Sequence, residues 1–179
     1  MISLVAHELC WINGASDDPD DQCAHGRVTM SIDGVTLVRP DDGEWTVSTA
    51  ALYLLRTLTG DYTPAERVAE SNFLFPCCGF STWQCGDRYE VICMGCCEGI
   101  DVWIRTKGSI VEVSVADSHL SVSRIEWRAA VLGFAKNIEQ FYAQSSPKIE
   151  LDDRADRDGW AAFWAEWRER VNHSLSSGT

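Results

Sequence analysis

Cys93-Met94-Gly95-Cys96 has the spacing with which two thiolates of one turn converge on a tetrahedral metal ion. Cys77, Cys78 and Cys85 lie just upstream, so most of the chain's eight cysteines gather in one stretch. A zinc site built from Cys78, Cys85, Cys93 and Cys96 is therefore the sharpest metal chemistry that the sequence offers. No other cofactor is expected. The weak point is the second pair, because adjacent Cys77 and Cys78 are not a usual chelating spacing, and in a strand neighbouring side chains point to opposite faces. In a reducing compartment, thiols at core-face positions behave as small hydrophobes, and packing is the favoured reading for most of them. Cys23-Ala24-His25 would add ligands only if the fold carried that loop to the other cysteines.

The second chemical group is acidic. Asp17, Asp18, Asp20 and Asp21 form one run, and Asp152, Asp153, Asp156 and Asp158 belong to another. Clustered carboxylates suit a hard cation, but a calcium loop counted from Asp17 needs glycine at its sixth position and an acid at its twelfth, where the sequence has Gln22 and Val28. The acids read instead as solvated loops that form the rim of a partner-binding surface. Catalysis has no recognisable constellation: there is no Gly-x-Ser-x-Gly elbow, phosphate loop or dinucleotide fingerprint, and His7, His25, His119 and His173 single out no nucleophile. An enzyme is not the favoured reading.

The elements that must position these residues follow from periodicity. Residues 80–84, 88–94, 100–106, 109–115 and 119–123 are five β-patterned runs, read as one central antiparallel meander. Tyr89, Val91 and Cys93, then Ile100, Val102 and Ile104, then Val111, Val113 and Val115 alternate with polar neighbours and mark its core face. Gly86-Asp87, Lys107-Gly108 and Asp117-Ser118 supply the turns. Trp103 and Ile92 break the polarity of the outer face, which predicts a second layer over part of it.

Residues 2–12 are read as a first strand, and residues 27–32 and 35–38 form a hairpin about Asp33-Gly34. A helix is expected over 48–58, capped by Ser48, with Ala51, Leu54, Leu55 and Leu58 as its apolar stripe. Residues 61–72 are read as a loop with one helical turn. Ser123 and Glu126 make a capping box, and the helix it starts, carrying Trp127, Val131, Phe134, Ile138, Phe141 and Tyr142, should lie across the meander. A last helix over 158–171 has Trp160, Phe163, Trp164 and Trp167 on one face and Glu166 and Arg170 on the other. That aromatic face is expected to dock within the chain. The reading is one α+β domain over 1–171, with a disordered tail over 172–179.

With 15 Lys and Arg against 27 Asp and Glu, the chain carries a formal net charge of -12. That opposes binding to nucleic acid or to anionic membranes and favours a basic protein partner. No run approaches the roughly 20 apolar residues of a membrane span, and the N-terminal stretch has no basic region or cleavage site, so a cytoplasmic protein is expected. The function favoured is a non-enzymatic, acidic interaction protein, of the immunity or antitoxin type that neutralises a basic toxin or nuclease. The alternative is a zinc- or thiol-dependent protein centred on the cysteine stretch. Oligomeric state is not legible.

Overall fold

The computed structural model describes residues 1–67, 73–79, 81–84, 91–95 and 98–176. Its chain order is β1 (Ile2–Cys10), β2 (His25–Ile32), β3 (Val35–Val38), β4 (Trp45–Thr46), α1 (Val47–Arg56), β5 (Phe75–Pro76), β6 (Ser81–Gln84), β7 (Val91–Met94), β8 (Gly99–Ile100), β9 (Trp103–Lys107), β10 (Ile110–Val115), β11 (Ser118–Ser123), α2 (Arg124–Gln144) and α3 (Arg154–Ser176). The class is α+β, with antiparallel sheets. Among the described residues no helix is long and apolar enough to cross a membrane.

β1, β2 and β3 pair in sequence order, and β4 joins the far end of β2. Strict alternation along β2 buries Val28, Met30 and Ile32 on one face. The β2–β3 turn places Asp33 and Gly34 at φ 50° and 81°, the left-handed pair that a two-residue hairpin needs. This is the hairpin expected from the sequence.

The meander differs from its expected form in being three pieces. β9, β10 and β11 make a three-stranded antiparallel sheet, β6 and β7 pair only with each other, and β8 pairs with β5. The break lies at Asp101, which alternation alone makes an ordinary outward residue of the 100–106 run. Its carboxylate accepts bonds from the Tyr62 hydroxyl, from Arg67 Nη2 at 2.9 Å and from the Leu74 backbone N–H at 3.3 Å, which fastens the preceding loop where the strand would otherwise run on. Trp103, on the outer face, stacks on Tyr62 with ring centroids 5.2 Å apart and lies under the Arg67 guanidinium. That is the partial second layer anticipated there. The Gly86-Asp87 turn and Tyr89 fall outside the described residues.

α1 is not the amphipathic helix expected. All ten of its residues are buried, because α2, α3, β2 and β5 surround it. Ser48 is not its cap: Thr46 occupies that position, and Ser48 Oγ instead accepts the Ala24 N–H at 3.2 Å. α2 begins as expected, with Glu126 N–H donating to Ser123 Oγ at 3.2 Å and Ser123 N–H to Glu126 Oε2 at 3.3 Å. It lies chiefly on β1 and α1, however, and only its first turns reach β10 and β11. The meander is broken down to a three-stranded piece, whereas the N-terminal sheet has four strands, and α2 lies on the latter through β1.

α3 docks within the chain, as expected, through Trp160, Phe163 and Trp167, all buried. Gly159 permits the approach to β6, since a Cβ there would lie 1.7 Å from the Thr82 carbonyl oxygen. The helix starts earlier than expected and continues through Ser176, with Ser174 buried, where a disordered tail was expected from 172. Trp167→Ala should therefore cost about 3–5 kcal/mol in urea unfolding, and Trp164→Ala, at a half-buried site, clearly less. An equal loss at both positions, or none at Trp167, would contradict this packing.

Candidate functional site

Among the described residues the cysteines lie in four places: Cys10 on β1, Cys23 ahead of β2, Cys77 and Cys78 after β5, and Cys93 on β7. Cys77 and Cys78 follow β5 in a loop rather than a strand, so neighbouring side chains are not forced apart, and their sulfurs lie 3.9 Å from each other. This corrects the expectation from strand alternation. Cys93 is buried on β7, and burial pushes its thiol up to about 11 although the Arg56 charge opposes the shift. Cys23 does reach this region: its thiol donates to the Gly79 carbonyl at 3.2 Å, and burial, then the negative charge of Asp21, hold it well above the ordinary thiol range. Of the four expected zinc ligands, Cys85 and Cys96 lie outside the described residues. Among the described residues no three His, Cys, Asp or Glu side chains converge to hold a metal ion. Burial thus disfavours the thiolate at both Cys23 and Cys93.

Sequence reasoning missed the group on which α3 depends. Glu166 was expected on the polar face of the last helix, yet it is 2% exposed. Its carboxylate accepts Arg56 Nε and Nη2, each at 2.7 Å, Arg170 Nε at 2.6 Å and the Val91 N–H at 3.2 Å. Arg56 Nη2 also donates to the Val91 carbonyl at 2.8 Å. One ion pair thus joins α1 to α3 and satisfies both backbone groups of Val91 in β7. Burial disfavours both charges, but the bonds and charge of each partner outweigh it, so Glu166 titrates below its ordinary range and Arg56 above. One signal was present in the sequence: Arg56 is the sole charged residue of its helix, and if that end is buried its guanidinium needs a carboxylate beside it. Nothing in the sequence identified which one.

The loop that carries the first acidic run meets the linker ahead of the second. The Ile149 N–H donates to the Pro19 carbonyl at 3.0 Å, Gln22 Nε2 donates to the Ile149 carbonyl at 3.3 Å, and Asp17 accepts the Ser146 N–H at 3.0 Å. Loop 17–21 is thereby tied to the linker that leads into residues 150–158. Several of these acids also have internal work. Asp21 accepts the Ile12 N–H at 2.7 Å and the Cys23 N–H at 2.9 Å, Asp18 accepts its own loop's N–H groups, and Asp153 caps α3 through the Ala155 N–H at 2.7 Å. Hydrogen bonds from Ser146 hold the Asp17 carboxyl below its ordinary range. For Asp21, burial works the other way but is outweighed by His25 and the backbone donors. Asp20, Asp152 and Asp158 point to solvent. Lys148 lies among these acids, its ammonium over the Trp11 ring and bonded to the Asp18 carbonyl.

Compared with known proteins, the chain matches no family model, no curated protein and no solved structure. Its site residues are therefore read from this structure alone.

Two outcomes follow. Under native conditions an alkylating reagent should modify Cys77 and Cys78 before Cys23 and Cys93, as mass spectrometry of digested protein will show; early modification of Cys93 would contradict its burial. A carboxylate whose folded pKa is depressed contributes stability above its unfolded value and loses it as the pH falls through the folded value. The stability difference between wild type and Glu166→Gln should accordingly be constant above about pH 4.5 and shrink below it. A difference that stays level through the acid range would rule out an ionised Glu166 as the source.

Proposed function

We propose that the protein is a non-enzymatic, acidic binding protein whose partner is a basic protein, in the manner of an immunity or antitoxin-type protein that neutralises a basic toxin or nuclease. The observation that supports this reading is the pairing of residue 19 with residue 149, which joins the loop of one acidic run to the linker just ahead of the other. A net charge of -12 steers cationic surfaces toward the whole molecule, and a concentrated rim gives the approach an orientation. Asp17, Asp18, Asp21 and Asp153 shape that rim through the backbone N–H groups they accept. Asp20, Asp152 and Asp158 supply its solvent-facing contacts.

A second reading, a thiol-dependent or zinc-binding protein, is supported by the meeting of Cys23 with the loop that holds Cys77 and Cys78. Stoichiometric zinc that survives dialysis would favour it over the first.

The test compares two triple variants of equal charge change. Asp20→Asn, Asp152→Asn and Asp158→Asn remove exposed acids of the rim, Asp158 with its ion pair to Arg154 at 3.5 Å, whereas Glu66→Gln, Asp117→Asn and Glu169→Gln remove exposed acids elsewhere. Association with a co-purifying basic protein, followed by stopped flow at low ionic strength, should slow severalfold for the rim variant and much less for the other, and the gap should close as salt shortens the Debye length to about 8 Å. Equal rates for the two variants, or rates indifferent to salt, would leave the rim with no role beyond solubility. Asp21→Asn should instead lower stability, because it weakens the acceptor of two loop N–H groups.

A further inference from the structure

A cavity of about 810 Å3 opens where the residues after α1, the β9–β10 turn, the first turns of α2 and the last turn of α3 meet. Its base is apolar. Val111 and Trp127 are buried there, Leu58 is half-buried, and Ile110 and Ile125 lie exposed along its lip. The one buried hydroxyl at the end of α1, on Thr57, is already engaged, donating to the Leu54 carbonyl at 2.6 Å and accepting Trp127 Nε1 at 3.1 Å. A ligand would therefore meet hydrocarbon at the bottom of the cavity and must find its polar partners at the wall.

That wall reverses the sign of the protein. Acids outnumber Lys and Arg by 27 to 15 along the chain, yet the ionisable side chains lining this cavity are Arg124, Arg128 and His173. Arg124 and Arg128 are one helical turn apart and so share a face of α2. Among the described residues neither is in an ion pair, and Arg128 makes a single long bond to the Ser174 carbonyl at 3.5 Å. Most other arginines among the described residues are paired, as Arg27 is with Glu8 at 3.1 Å and Arg67 with Asp101 at 2.9 Å, although Arg39 and Arg168 also lack an ion pair. A second cavity, of about 450 Å3 over the outer face of β9–β11, also shows the contrast, since its Arg105 faces Asp61 and its Glu112 faces Lys107. Helix ends do not decide the sign, because the N-terminus of α2 favours an anion while the C-terminus of α3 opposes one, each by about half a charge. Two full arginine charges do decide it.

We propose that this cavity binds a small amphipathic anion, an aliphatic carboxylate whose chain lies on Leu58, Val111 and Trp127 and whose head is held by Arg124 and Arg128. Pockets for small ligands run from roughly 300 to 1,000 Å3 and combine an apolar lining with a few convergent polar groups, as here. The guanidinium fork matches a carboxylate in shape and charge. This site is independent of the acidic rim, and neither stands or falls with the other.

Decanoate is the probe, measured by isothermal calorimetry below its micellar range, with 1-decanol and decyltrimethylammonium as neutral and cationic comparisons. Wild type should bind one decanoate saturably, about tenfold or more tightly than either comparison. The Arg124→Gln, Arg128→Gln variant should lose that preference while still binding decanol. Ser109→Trp, which places a ring at the cavity mouth, should weaken both ligands. Absence of saturable decanoate binding to wild type overturns the proposal. So does equal affinity for the three probes, or decanoate binding unchanged in both variants while circular dichroism shows them folded.

Discussion

A guanidinium buried at the centre of a protein is tolerated only where a carboxylate is buried with it, because an isolated buried charge costs several kcal/mol even after relaxation. Arg56 imposes this constraint here. α1 is enclosed on every side, its last residue is an arginine, and the chain meets the requirement by bringing Glu166 from the final helix. Because the same pair also bonds both backbone groups of Val91, three segments far apart in sequence share one fixed point. The packing of Trp160, Phe163 and Trp167 supplies apolar area around that point, and the ion pair sets its register.

Both proposed surfaces depend on where that register leaves the two ends of α3. The acidic linker enters the helix at its N-terminus, capped by Asp153, and is tied to loop 17–21 by the Pro19–Ile149 bond. At the other end, Ser174 and His173 close the basic cavity against α2. A shift of one helical turn along α3 would carry Glu166 away from Arg56, pull the linker off the loop and open the cavity. Two regions of opposite charge are thus held apart on one helix by a buried contact between them.

The parts of the fold legible in the sequence were those fixed by neighbours along the chain. Asp33-Gly34 specified a hairpin, Ser123 and Glu126 specified a helix start, and the aromatic spacing of residues 160–167 specified a buried face. What was not legible depended on partners distant in sequence. Asp101 alternates correctly for a continuous strand, and only the arrival of Tyr62, Arg67 and Leu74 ends that strand. Glu166 falls on the polar side of a helical projection, and only Arg56 makes it a core residue. In α1, Ala50, Leu52 and Tyr53 lie off the expected stripe, and apolar residues on more than one side mark a helix enclosed by its neighbours. For the candidate sites, composition marked the acids but not the bond between loop and linker at residues 19 and 149. The cavity has no sequence signal, since its arginines look like any exposed pair one turn apart.

The central claim, that Arg56 and Glu166 act as one unit in seating α3, is tested most directly by a double-mutant cycle in urea unfolding with Arg56→Met, Glu166→Met and the pair together. Glu166→Met leaves Arg56 buried without its counter-charge and should cost about 3–5 kcal/mol, Arg56→Met leaves Glu166 with Arg170 alone and should cost less, and the double variant should lose far less than the sum of the two. Losses that add to within about 0.5 kcal/mol would mean that the two residues contribute independently, and the account of how α3 is held would be wrong.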